Sequence, residues 1–98
     1  MTNHQQHQST ADHLYFDGSA EPNPGGRMGA GWRLMYTDRP EETGSAEWPA
    51  ARDNTNNRAE YLALIGALEQ YLATGRSGPL QVQDDSQLVI NQMNGVER

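Results

Sequence analysis

LYFDGSAEPNPGGRMGAGW, Leu14 to Trp32, is the stretch that decides how this chain folds. Leu14, Tyr15 and Phe16 are strand formers, and they run straight into a carboxylate, Asp17. The run breaks at Gly18 into a loop holding Glu21, Pro22, Asn23, Pro24, Gly25 and Gly26, and a second strand-like run extends from Met28 to Tyr36. The pattern predicts a β-hairpin whose first strand delivers one acid to the sheet end and whose loop brings backbone close to a ligand. Taken alone, the stretch reads more simply as an ordinary surface hairpin in which Asp-Gly is turn chemistry. The rest of the chain favours the first interpretation.

Working outward, Leu14 to Ser19 is the first strand and Gly29 to Tyr36 the core of the second, with Trp32, Leu34 and Tyr36 on one face by period-2 alternation. Thr37 to Pro40 makes a turn. Thr43 to Trp48 follows as a third, antiparallel strand ended by Pro49, which suits an edge. Ala50 to Asn57 is a polar connection. From Arg58 to Thr74, Tyr61, Leu64, Ile65, Leu68 and Leu72 recur at helical spacing, and Gly75 is the stop signal. Gly66 weakens that helix, so close packing on the sheet is the expected reason for it. Gly78-Pro79 turns the chain into a strand from Leu80 to Asp84, and a second helix is expected from Ser86 to Met93, stopping near Gly95. The fold class is therefore α/β: a three-strand antiparallel meander, then helix, parallel strand and helix. Residues 1–12 are polar and without periodicity, and are expected to be a disordered tail ahead of one domain spanning 13–98.

Composition narrows the function. Ninety-eight residues make one small domain. The absence of cysteine excludes a disulfide framework, a thiolate zinc site and a cysteine nucleophile. No apolar run approaches membrane length and residues 1–12 lack the apolar core of a signal peptide, so a cytoplasmic protein is the default expectation. The net charge is −6. Proteins that neutralise phosphates are usually basic, so nucleic-acid binding here needs a site at which metal ions supply the positive charge. Gly26 to Gly31 is glycine-rich but leads into a strand, not a helix, which excludes a nucleotide-phosphate loop. Trp32, Tyr36 and Trp48 are expected to pack on the sheet instead of stacking on bases. His4, His7 and His13 lack the spacing and support of metal ligands.

Three acids stand at related places. Asp17 ends the first strand, Glu60 lies in the first turn of the long helix, and Asp85 follows the fourth strand. If strands one and four are adjacent and parallel, a right-handed crossover brings the helix start over the strand end that carries Asp17. Clustered carboxylates without a cationic side chain repel one another, and hard oxygen donors favour magnesium or manganese. Each acid also has a local explanation. Asp17 suits a turn, Asn57 and Glu60 fit a capping box, and Asp85 or Ser86 suits a helix cap.

Together, YFDGSAEPNPGGRMGAGW, TNNRAEYLALIGALE and VQDDSQLVINQMNG resemble the three successive signature regions of type I ribonuclease H, in order and in spacing, over Leu14 to Gly95. The resemblance implies a ribonuclease H-like fold and endonucleolytic hydrolysis of the RNA strand of an RNA–DNA hybrid. It implies two magnesium or manganese ions, a metal-activated water that attacks phosphorus, and 5′-phosphate and 3′-hydroxyl products. By motif match Asp17, Glu60 and Asp85 are catalytic metal ligands. Asp84 takes a place where relatives often have glycine, so Asp85, next to Ser86-Gln87, is the expected ligand. Asn23, Asn56, Asn57 and Gln87 are implied as minor-groove contacts, since amides both donate and accept, while Thr55 and Arg58 would help hold a phosphate. Asn23 also suits turn geometry, and Asn56 or Asn57 a helix cap. The basic, Trp-rich handle of some relatives has no counterpart here, which implies weaker and more salt-sensitive substrate capture.

The family pattern continues past the second helix with a fifth strand, a histidine-bearing loop and a last helix carrying a fourth acid. Glu97 is the only acid after Asp85 and comes too early to match it. The expectation is thus an incomplete domain with weak metal binding and impaired cleavage. The complete family form is expected to be a monomer, and here an open sheet edge invites pairing with another chain. A catalytically inactive nucleic-acid- or protein-binding remnant of the same fold is the alternative.

Overall fold

The computed structural model describes residues 10–85. Within them β1 (Asp12–Glu21), β2 (Arg27–Met35) and β3 (Glu42–Trp48) form the meander, α1 (Asn56–Ala73) crosses over, and β4 (Leu80–Asp84) returns. The strand order is β3-β2-β1-β4. β1 pairs antiparallel with β2, Asp17 opposite Gly31, and β4 lies parallel to β1, with Leu14 opposite Val82. The expected meander and parallel crossover are present. The expected second helix, from Ser86 to Met93, lies outside the described residues.

β1 is longer than expected, because it begins at Asp12 instead of Leu14. Asp12 was expected in the tail, yet it is buried, as is Ala11. What holds Asp12 is a set of partners distant in sequence. Tyr71 Oη donates to its Oδ2 at 2.7 Å, Arg76 Nε does so at 2.8 Å, and the Thr37 amide donates to Oδ1 at 3.0 Å. The Arg76 guanidinium holds the Asp12 carboxyl below its ordinary value, and also reaches Asp38 at 3.0 Å. This clamp fixes the sheet end opposite the acids.

α1 packs through a face different from the expected one. Ala59, Ala63, Ala67 and Tyr71, each four residues after the last, are its buried residues. Tyr61 and Leu72 are about 70% exposed (70% and 69%), whereas Leu64 and Leu68 flank the core. The physical reason is distance: a stripe of alanines lets the helix backbone settle onto Leu14, Ala30, Trp32 and Leu34, where larger side chains would hold it off. Two glycines complete this fit. A Cβ on Gly66 would come within 2.7 Å of the Trp32 ring, as its place in the helix anticipated, and one on Gly18 would collide with the Ala59 backbone. Trp32 sits in the core and donates through Nε1 to Gln70 Oε1 at 2.9 Å, while Tyr36 and Trp48 pack at its edge, the packing roles expected of them.

The helix start is capped by Thr55, whose Oγ1 accepts the Arg58 amide at 3.1 Å. Capping therefore falls to Thr55 and not to Asn56 or Asn57, and Glu60 is not required to close a capping box.

Candidate metal centre

Asp17 is placed by β1, Glu60 by the second turn of α1, and Asp84 by the end of β4. One carboxylate oxygen from each lies within 4.8 Å of the others. The crossover makes this possible, because it returns the start of α1 to the strand end that carries Asp17, and Gly18 lets the helix approach closely at Ala59 and Glu60.

The third member differs from the sequence expectation. Asp84, not Asp85, joins Asp17 and Glu60 in the group. β4 pairs with β1 so that Leu80, Val82 and Asp84 stand opposite Asp12, Leu14 and Phe16. Asp84, the last residue of β4, thus lies beside the Phe16–Asp17 step at which the pairing ends. Asp85 is one step beyond, its amide donating to the Phe16 carbonyl at 2.7 Å.

Electrostatics mark the group as unfinished. Burial pushes the Asp17 carboxyl up to about 6, and the neighbouring charges of Asp84 and Glu60 push the same way against the Gly18 amide. Glu60 is raised too, by burial and then by Asp84. Among the described residues no arginine forms an ion pair with any of the three. A carboxylate whose charged form is disfavoured by burial and by neighbouring acids is relieved by a cation, and an all-carboxylate donor set fits a hard divalent ion. A shallow cavity of about 290 Å³ lies at Glu60, lined also by Phe16, Asn57, Tyr61 and Leu64.

The amide residues gather on one side of this centre. Asn56 lies at the start of α1, where its amide donates to Asn23 Oδ1 at 3.1 Å and its own Oδ1 accepts the Ala20 amide at 2.8 Å. The β1–β2 loop and the helix start are thereby joined, with Asn57 in the cavity wall one residue on. Thr55 is occupied as the cap, and Arg58 lies 4.0 Å from Asp53 in an exposed ion pair. Gln87 lies outside the described residues. Sequence reading missed Asn54, which is buried and donates from Nδ2 to the Gly26 and Pro49 carbonyls. Nothing in its spacing distinguishes it within a polar connection.

Comparison with known proteins agrees with this architecture. The family model for RNase H matches residues 9–98. The ribonuclease HI of Halobacterium salinarum is 41% identical over 85 residues, a match covering 85% of this chain and 40% of that protein. The ribonuclease H of Pseudomonas paraeruginosa is 39% identical over 77 residues, covering 79% of this chain and 47% of the relative. This chain thus spans less than half the length of these relatives. Among solved structures, the RNase H1 of H. salinarum is 38% identical with a TM-score of 0.64, over 87% of this chain and 61% of that one. LC11-RNase H1, solved in complex with an RNA/DNA hybrid, is 34% identical with a TM-score of 0.64, over 87% and 62%. With its meander, its crossover helix and its matched span, the chain belongs to the RNase H family.

Proposed function

We propose that this chain carries the metal-binding and hybrid-reading part of an endoribonuclease that hydrolyses the RNA strand of RNA–DNA hybrids. The observation that carries the proposal is the convergence of Asp17, Glu60 and Asp84 at one sheet end, with no arginine ion-paired to them among the described residues. Asp17, Glu60 and the aspartate pair ending β4 would hold the ions, Asp84 by its place in the group and Asp85 by its place before Ser86-Gln87. Magnesium or manganese, when bound, would lower the pKa of a water and stabilise the leaving oxygen. The protein's own part is to hold carboxylates close at a cost that an ion repays, and to set the hybrid beside them. Asn23, Asn56 and Asn57 supply amides at the edge of the centre, suited to 2′-hydroxyls and base edges in a wide, shallow minor groove. With a net charge of −6, little phosphate attraction comes from the protein surface, so the protein alone captures hybrid weakly.

Cleavage of a labelled hybrid with magnesium or manganese, beside single-stranded RNA and duplex DNA, tests the proposal. Cutting confined to the RNA of the hybrid, and lost in Asp17→Asn, is the expected result. Equal cutting of single-stranded RNA, or full activity in Asp17→Asn, would contradict it. The acid count favours one second reading: three carboxylates are grouped among the described residues where the resemblance implies four. A binding module without turnover would then hold hybrid and leave it intact.

A further inference from the structure

The β1–β2 loop and the lead-in to α1 are separate in sequence, and one buried side chain ties them together. Asn54 is 3% exposed. Its Nδ2 donates at 2.8 Å to the Gly26 carbonyl in the first segment and at 2.9 Å to the Pro49 carbonyl in the second. Its backbone carbonyl accepts the Gly25 amide at 2.8 Å, and its own amide donates to the Ala51 carbonyl at 2.9 Å. Both side-chain protons are thus spent on carbonyls of different segments, an arrangement only a carboxamide of this length provides.

The two segments joined in this way carry Asn23 and Asn56. Both have their side-chain oxygen engaged, Asn23 by the Asn56 amide and Asn56 by the Ala20 amide. Among the described residues neither Nδ2 group has a hydrogen bond, so each keeps its donors for a ligand. Minor-groove edges and 2′-hydroxyls offer acceptors at fixed separation, so two donors on independent loops read them together only if the loops are locked in register.

Resting on the hybrid-binding reading above, we propose that Asn54 is a positioning residue for the hybrid: it fixes the glycine-rich loop against the start of α1 and so sets the separation of the Asn23 and Asn56 donors. Asn54 itself, being buried, does not touch the substrate.

The test is binding of a short RNA–DNA hybrid, with calcium replacing magnesium, to wild-type chain, Asn54→Ala, Asn54→Ser, Asn23→Ala and the Asn23→Ala/Asn54→Ser double variant. Circular dichroism and manganese affinity are measured on each. Asn54→Ala is expected to weaken hybrid binding about tenfold, Asn54→Ser less so, and manganese affinity is expected to stay as in wild type. In the double variant the loss is expected not to exceed that of the stronger single variant, because Asn54 acts through Asn23. Wild-type affinity in a folded Asn54→Ala, or fully additive losses in the double variant, would overturn the proposal. Unfolding of both Asn54 variants would also overturn it, by assigning the residue to stability alone. If the wild-type chain binds no hybrid, the hybrid-binding reading itself fails and this proposal falls with it.

Discussion

Asp84 stands opposite Phe16 in the parallel pairing of β4 with β1, one residue short of Asp17, and one of its carboxylate oxygens lies within 4.8 Å of those of Asp17 and Glu60. A shift of one residue would exchange the faces of Asp84 and Asp85. The Asp17 carboxyl therefore reports on the register, since Asp84 is one cause of its rise to about 6. Asp84→Asn is expected to move the Asp17 pKa down toward the ordinary carboxylate range, while Asp85→Asn leaves it nearly unchanged. Carboxyl carbon shifts followed against pH by NMR read both variants directly.

A second consequence concerns pH and stability. Asp17 ordinarily titrates near 3.8 and in the folded chain near 6, so folding favours its protonated form. That contribution is fully present below about 3.8 and is lost as pH rises through about 6. Without divalent ions, Asp17→Asn is therefore expected to melt above wild type at pH 8 and level with it near pH 4. Ion binding runs the other way, because an ion competes with the proton for the carboxylate. Manganese affinity in calorimetry is expected to fall by about tenfold per pH unit below 6 for one proton displaced, and to level off above it.

The Asp12 clamp has the opposite sign. Hydrogen bonding to Arg76 is the largest of the effects that hold the Asp12 carboxyl below its ordinary value. Its stabilisation is therefore present above about 3.8 and is lost as pH falls through the lowered value. Asp12→Asn is expected to lower the melting temperature at pH 7 by roughly 5–10 °C, with the gap to wild type closing in strong acid. A thermal melt series across pH checks this.

Close approach of α1 predicts a ranking of two glycine substitutions. Gly18→Ala drives a methyl group into the Ala59 backbone, which cannot give way without moving the helix. Gly66→Ala meets the buried Trp32 ring, a side chain and not backbone, and gains about 1 kcal/mol of helix propensity. Gly18→Ala is expected to cost about 3 kcal/mol and to spread Asp17 from Glu60, while Gly66→Ala costs about 1 kcal/mol or less. Urea denaturation separates the two.

Much of this was legible in the sequence. Period-2 runs, Gly-Pro punctuation and a single helical segment place every described element, and the bounds of β4, Leu80 to Asp84, match the expectation. Asp17 and Glu60 were legible because crossover handedness fixes which sheet end the helix start covers. The helix face was not, since hydrophobic periodicity weights Tyr61, Ile65 and Leu72, whereas contact with the sheet selects alanine for its size. Asp12 looked like tail because its partners, Tyr71 and Arg76, are 59 and 64 residues away. The grouping of Asp84, and not Asp85, with Asp17 and Glu60 depends on how side chains lie at the end of β4, and the role of Asn54 on two carbonyls in separate loops. Neither is encoded in local spacing.

One divalent-ion centre built from the acids ending β1, starting α1 and ending β4 is the proposal on which the others depend. Substoichiometric manganese added to ¹⁵N-labelled chain tests it directly, because the paramagnetic ion broadens nearby amides. Selective broadening of Asp17, Gly18, Glu60, Tyr61, Asp84 and Asp85, abolished in Asp17→Asn, is expected. Broadening centred on Glu42 and Glu47, or spread evenly over the acidic surface, would contradict it.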